Sequence, residues 1–292
     1  MNTPSVSSSS TRCLGWLLNF IVVNGALLLL ALCELFFCTY TSNNVMALFA
    51  MCVVKNALMV AAVDRQVRSR PYLDADKRVE PTEKYRGEFA VHLVRASFAE
   101  ACTKVIIHST LVAGHTDGGV QAAAEDLLSR QMLCDWLWLV PRSFAFEVVF
   151  DFFHYWAHRL VHAVPLLYRR VHKTHHRFAY TTSIIAFYQD PLDLVLSNVF
   201  PTLAALTIVA PFVTLSQWTV VMMLTYKTHI EICGHTGKCV GNTPSFHQCI
   251  WLPRALGIEL LTEQHHKHHT LNTCNYAKRF ALWDKVFGTF KA

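Results

Sequence analysis

Long apolar blocks parted by short polar ones set the organisation of this chain. Residues 14–38 are almost continuously apolar. A helix crossing a bilayer needs about 20 such residues, so the block predicts an uncleaved membrane helix. A signal peptide would instead carry an apolar core of about 7–15 residues closed by a small-residue cleavage site. After a polar turn at 39–44, residues 45–63 form a second block that contains Lys55. A lysine near mid-bilayer costs about 2.5–3.5 kcal/mol on insertion scales. Lys55 is therefore expected to pair, snorkel or face the bundle interior, and Glu100 is its candidate partner.

The pattern then changes sharply. Residues 64–88 carry Arg65, Arg68, Arg70, Lys77, Arg78, Lys84 and Arg86, which by the positive-inside rule marks a cytosolic loop. The first two blocks then read as a hairpin with both ends in the cytosol. In residues 91–113, His92, Ala96, Glu100, Lys104 and His108 recur every four positions, a polar stripe on an otherwise apolar helix. That helix either spans with its stripe inward or lies in the interface, and His92 and His108 are read as stripe residues. Residues 114–126 lack lysine and arginine and read as a luminal loop. Residues 133–150 would return the chain, although Asp135, Arg142 and Glu147 interrupt them. Two further blocks, 192–210 and 212–233, flank Pro211 and predict a hairpin that leaves the cytosolic face and comes back to it. This topology puts residues 158–176 and 229–269 on one side of the membrane.

Composition agrees. The 292 residues are 53% hydrophobic and 16% charged, against about 25% charged for soluble domains. The net charge of +6 resides beside apolar blocks, which fits membrane flanks and not a nucleic-acid surface. Ten cysteines are scattered without a C-x-x-C pair, as expected of small buried residues in a reducing compartment. The sequence therefore predicts an all-α fold: a polytopic membrane bundle with a cytosolic, histidine-rich helical cap. Its expected parts are a disordered tail (1–13), membrane helices with their cytosolic loop (14–132) and a catalytic domain (133–292).

The candidate chemistry is histidine. Thirteen of the sixteen histidines follow residue 150. His154, His158 and His162 are spaced four apart, so a helix would place them on one face. His172, His175 and His176 form an H-x-x-H-H box, and His265, His268 and His269 form a second, with His266 as an extra. His229 and His235 lie between. Neutral imidazole is a ligand for iron, copper or zinc, and a first-row ion takes four to six donors. Eight or more convergent imidazoles exceed one coordination sphere and point to two ions. The H-E-x-x-H pattern of zinc peptidases is absent, since Arg159 follows His158. A membrane zinc-dependent hydrolase or a metal-handling transporter remains the alternative on residue types alone.

The segments DFFHYWAHRLVHAVPLLYRRVHKTHH and EQHHKHHTLNTCNYAKRFALWDKVFGTF resemble the fatty acid hydroxylase/sterol desaturase superfamily. The likeness covers about residues 133–290 and extends to Asn275, Tyr276, Trp283, Asp284, Phe287, Gly288 and Thr289. The resemblance implies a non-haem di-iron centre that uses dioxygen to hydroxylate or desaturate a sterol or a sphingoid or fatty acyl lipid. Electrons would come from NAD(P)H through a reductase and a b-type cytochrome, at the endoplasmic reticulum membrane with the boxes facing the cytosol. It also implies His158, His162, His172, His175, His176, His235, His265, His268 and His269 as metal ligands, with His229 a further candidate. His154 stands where the family often has an aromatic residue and is set aside; His247 reads as structural. Asp151, Glu231, Glu263 and Asn275 are expected to orient the imidazoles.

Overall fold

Helices follow the apolar blocks, with boundaries set by local caps and by charges that find partners inside the bundle. The computed structural model describes residues 9–40, 44–74, 82–112, 130–213, 215–239 and 245–292. The expectations for residues 1–8, 75–81 and 114–126 lie outside the described residues. Helix α1 (Ser9–Tyr40) begins within the stretch read as a tail. Helix α2 (Val45–Val67) starts at Asn44, whose Oδ1 accepts from the amides of Met46 and Ala47 at 2.9 and 3.2 Å, satisfying two of the four free donors of a helix start. Helix α3 (Arg86–Ile107) runs into a π-helical turn, His108–Val112. Helix α4 (Arg130–Ala163) contains Pro141 without breaking. Helix α5 (Pro191–Val209) holds a π-helical turn at Val195–Val199. Helix α6 is Gln217–Gly234, α7 is Thr262–Leu271 and α8 is Leu282–Val286. Among the described residues the extended pairings are two isolated bridges, Tyr72 with Lys238 and Glu259 with Phe280, so the fold is all-helical.

Among the described residues, three helices are long and apolar enough to cross a membrane: Leu17–Phe37, Val45–Val67 and Pro191–Val209. Leu17, Ile21, Val22, Leu29 and Phe36 remain exposed along α1, an apolar outer face that water would not tolerate but lipid would. The interior of the same helices is close-packed, with Val23, Leu27 and Ala31 of α1 in one core cluster with Met59 and Val63 of α2 and Trp218, Met222 and Tyr226 of α6.

Helix α6 brings the chain back to the histidine end, from Ser216 to His235, as the hairpin reading expects, but it does so in the core of the bundle. Every residue from Trp218 to Cys233 is buried, wrapped by α1, α2, α4 and α7. Lys227 and Glu231 make it too polar to face lipid, and they pair inside the bundle at 3.3 Å; Thr219 and Thr228 bond to Ser216 Oγ and to the Leu224 carbonyl. Helix α4 runs without interruption from the 133–150 block into the first histidine stretch. Glu147, one of the charges that interrupted its apolar run, is buried and pairs with Arg279 at 2.9 Å. The first histidine run therefore continues on the same rigid helix.

Lys55 meets Glu100, as expected, and also Glu34 of α1 at 2.9 Å. Lys104 pairs with both glutamates, and Asn56 Nδ2 donates to Glu100 at 2.9 Å and to Ser97 Oγ at 3.1 Å. Two lysines and two glutamates thus close a neutral quartet linking α1, α2 and α3. A buried pair gains little over an apolar replacement but is costly to break. Lys55→Ala is expected to lower stability in detergent by about 3–5 kcal/mol, measured by denaturant unfolding. Adding Glu34→Gln to that variant should recover part of the loss; an additive double mutant would show that the two side chains are not coupled.

Candidate metal centre

Four pieces of chain deliver imidazoles to one place at the end of the bundle. The last turns of α4 present His158 and His162, four apart on one face. Past Ala163 the chain makes a single α-helical turn, Pro165–Leu167, then a π turn, Tyr168–His172, and a 3-10 turn, His175–Arg177. Helix α7 carries His265, His268 and His269, and His235 sits just past the end of α6. The ring nitrogens sort into two groups, each within 4.8 Å of one another: His158, His162, His172, His176 and His268, and then His175, His235, His265 and His269. The groups adjoin, with the rings of His176 and His269 centred 4.7 Å apart.

The two H-x-x-H-H boxes are therefore not each a single ligand face. Box 172–176 gives two imidazoles to the first cluster and His175 to the second. Box 265–269 gives His268 to the first and His265 and His269 to the second. Nine of the ten predicted ligands meet here. His229 does not; it lies against Cys233 and His247, because His235 falls past the helix end and the two point apart.

Tautomers follow from the outward-facing nitrogens. His158 Nδ1 lies 2.8 Å from the Tyr276 carbonyl, His268 Nδ1 2.7 Å from that of Cys274, His235 Nδ1 2.7 Å from that of Glu231 and His175 Nδ1 3.3 Å from that of Tyr188. His172 Nδ1 lies 2.8 Å from Asp193 Oδ2. A carbonyl or carboxylate oxygen only accepts, so each Nδ1 carries the proton and each Nε2 presents a lone pair. Yet His158 and His172 approach Nε2 to Nε2 at 3.0 Å, and His235 and His175 at 3.4 Å. Neither atom of such a pair has a proton to share. Lone pairs face each other in buried space, and a cation between them relieves the repulsion. With metal–nitrogen bonds of about 2.0–2.1 Å, adjacent donors around one ion stand about 2.9–3.4 Å apart, which matches. His162 Nε2 and both ring nitrogens of His269 are buried without a hydrogen-bond partner. The residues fit a pair of metal ions.

Burial, which disfavours charged imidazole, also keeps these rings neutral. It pushes His162 down to about 2, His268 to about 3 and His235 to about 4, and holds His158, His175, His176, His265 and His269 well below the usual range, with neighbouring imidazoles adding to the effect.

The carbonyls that orient the rings are themselves held. Asp284 accepts from the amides of Tyr276 and Ala277, both at 2.8 Å, and from Thr289 Oγ1 at 2.7 Å. Trp283 Nε1 donates to the Val148 carbonyl at 3.1 Å. Gly288 turns the chain at a φ of 70°. The N-Y…W-D-x-x-F-G-T ending is thus a clasp that fixes residues 274–277, whose carbonyls aim His268 and His158. Asp151 accepts from the amides of Lys278, Arg279 and Phe280 at 2.7, 3.0 and 3.1 Å and anchors the next three residues. Asn275 donates to the carbonyls of Gln264 and Lys291, both at 2.9 Å, tying the clasp to α7. Glu231 meets His235 through its backbone, while its carboxylate pairs with Lys227 and Lys278. Glu263 is half-buried in the first turn of α7. Among these four predicted orienting residues, only Glu231 touches a clustered histidine.

Asp193 is the carboxylate that the sequence reading missed; its signal was position in the segment after the 172–176 box, where an acid can reach back to His172. His154 Nδ1 meets the Ser197 carbonyl at 2.7 Å and stays outside both clusters. His266 turns away to Asp74 at 2.9 Å. His92, read as a stripe residue, has Nδ1 2.8 Å from the Gln189 carbonyl and its ring 4.2 Å from that of Tyr188, so α3 braces the residue that orients His175.

A model of the fatty acid hydroxylase family matches residues 143–289, the stretch that holds every clustered histidine. Fatty acid hydroxylase vlmA of Lecanicillium sp is 31% identical over 158 residues, 53% of this chain and 43% of that protein. Methylsterol monooxygenase 1 of Rattus norvegicus is 31% identical over 156 residues, 53% of this chain and 48% of that one. Very-long-chain aldehyde decarbonylase GL1-8 of Oryza sativa subsp. indica is 30% identical over 166 residues, 56% and 58%. The alignments span about half the length of these curated relatives. No solved structure matches the chain.

Two outcomes are expected. Unfolded histidines titrate near 6.5, whereas burial holds His162, His268 and His235 at about 2, 3 and 4; between these values the unfolded chain binds more protons, so stability falls as pH drops below about 6.5. Each such imidazole contributes about 1.4 kcal/mol per pH unit, and the denaturant midpoint of chelator-treated protein should fall between pH 7.5 and 5. An unchanged midpoint would contradict neutral burial. Gly237 has a φ of +63°, and a Cβ there would stand 2.2 Å from the Thr181 carbonyl. Gly237→Ala should lower stability by at least about 1–3 kcal/mol and reduce bound metal per chain; equal melting temperatures would show that Thr181 can retreat.

Proposed function

Because the chain belongs to the fatty acid hydroxylase family, we propose that it is a membrane oxygenase that uses two iron ions and dioxygen to hydroxylate, or desaturate, a lipid. The observation that carries this reading is the set of opposed Nε2 lone pairs in two adjoining clusters made of imidazole alone. Such donor sets suit a redox-active first-row ion. One ion would rest on His158, His162, His172, His176 and His268, and the other on His175, His235, His265 and His269. Bound iron would supply the activation of dioxygen; the chain supplies geometry, neutrality of the ligands and a dry site.

The relatives include proteins named as a fatty acid hydroxylase and a methylsterol monooxygenase, which supports a sterol or a sphingoid or fatty acyl chain as substrate. A cavity beside the centre offers a route from the bilayer. Its apolar side is built from Ala96, Phe187, Leu194 and Leu224, and Gln189, Asn198, Lys227 and Glu231 lie on its polar side. Leu194 belongs to α5, a helix long and apolar enough to cross a membrane, and the preceding residue, Asp193, holds His172. A substrate lying against α5 would reach the carboxylate–histidine pair at the rim of the first cluster. Residues 14–132 would furnish membrane helices, and residues 133–292 the catalytic domain. We assign the endoplasmic reticulum membrane with the clusters facing the cytosol, where NAD(P)H, a reductase and a b-type cytochrome could deliver electrons.

Purified protein is expected to hold about two irons per chain in its two clusters and to consume dioxygen with NADH when reductase and cytochrome are supplied. His175→Ala should abolish product while leaving the lipid profile of cells like that of a gene deletion. Stoichiometric zinc in the imidazole clusters, with turnover that persists without oxygen, would overturn the oxygenase reading in favour of a hydrolase.

A further inference from the structure

Behind the second cluster, α6 carries a third set of metal-binding atoms that the centre does not use. His229 and Cys233 stand one helical turn apart, and His247 reaches them from the segment after residue 245; the three donor atoms lie within 4.8 Å of one another. All three residues are more than nine-tenths buried. His229 Nε2 lies 3.5 Å from Cys233 Sγ, and the His229 and His247 rings are centred 4.7 Å apart. Around a tetrahedral zinc ion, bonds of about 2.3 Å to sulfur and about 2.0–2.1 Å to nitrogen put those two donors about 3.5 Å apart.

A plain thiol-to-imidazole hydrogen bond would also account for the His229–Cys233 distance. It leaves His247 unexplained, because its Nδ1 is buried with no hydrogen-bond partner although its ring packs against His229. An unpaired polar atom in such a place is costly. A metal ion bound by all three side chains removes that cost.

We propose that His229, Cys233 and His247 form a separate mononuclear zinc site. The donor set differs in kind from the imidazole clusters: a soft thiolate favours zinc over a hard or oxygen-seeking ion. Binding breaks the Cys233 S–H bond, forms the zinc–sulfur bond and releases one proton to solvent, with no change of oxidation state. Three protein donors leave one position for a water molecule. The position in the fold suggests what the ion does. Cys233 precedes His235 by two residues, and its carbonyl accepts from Thr262 Oγ1 of α7 at 3.3 Å. Zinc here would pin the last turn of α6 to the segment around His247 and so fix the approach of His235 to the second cluster. The ion is structural and lies outside the reaction.

Cobalt substitution tests this on the full chain in detergent. The imidazole clusters contain no sulfur ligand, so thiolate-to-cobalt charge-transfer absorption in the near ultraviolet reports the third site alone, whether or not the clusters hold iron. The absorption is expected in the unaltered protein, lost in Cys233→Ser and retained in Cys249→Ser, where the altered thiol is two residues from His247. Zinc content should fall by one equivalent per chain in both Cys233→Ser and His247→Ala. If Cys233→Ser does not fold, His247→Ala decides alone: a changed, weakened cobalt spectrum supports the site. Absence of thiolate-to-cobalt absorption in the unaltered protein, or its persistence unchanged in either variant, overturns the proposal.

Discussion

An imidazole has two nitrogens, and the one fixed by the protein decides what the other offers. In this chain the outward nitrogens of His158, His175, His235 and His268 are tied to backbone carbonyls, and that of His172 to a carboxylate. The inward nitrogens are left as bare lone pairs in a space that excludes water. Most other features of the cap serve this constraint. The clasp around Asp284 fixes two of the four carbonyls, α3 braces a third through His92, and the helical bond pattern of α6 supplies the fourth. Charge is kept out of the rings by burial, so the donors are ready without prior deprotonation.

The membrane half solves a related problem by opposite means. There the chain keeps charges in apolar surroundings by closing them on one another, as in the quartet of Glu34, Lys55, Glu100 and Lys104. Such groups gain little stability against an apolar isostere, but they fix how three helices stack. Since α3 carries both Glu100 and His92, the register set by the quartet propagates to the residues that orient His175.

Apolar block length was enough to read the all-helical fold, and α1, α2 and α5 coincide with blocks that length alone marks as membrane helices. What hydropathy did not show is that α6 is a core helix, since averages hide Lys227 and Glu231, which pair with each other and with Asn198 and Lys278 of other segments. Eight of the nine clustered histidines were legible by type and spacing, and His235 through the family resemblance. Their division between two clusters was not, since it depends on a π turn ending at His172 and a 3-10 turn beginning at His175 that no periodicity announces. The orienting groups were the least legible. Asp151 and Asn275 grip backbone amides or carbonyls instead of imidazoles, and backbone carbonyls have no signature in a sequence. His229 shows the same limit: its six-residue offset from His235 straddles the end of α6.

The split boxes carry a further implication for assembly. Each three-histidine segment grips both pockets with one short, stiff piece of backbone. Whatever settles His172 and His176 also sets where His175 lies, and likewise for His268 and its neighbour His269. Filling one pocket thus prepays part of the ordering entropy of the other. Half-loaded chains would be scarce at intermediate metal supply, and the population would divide between empty and full.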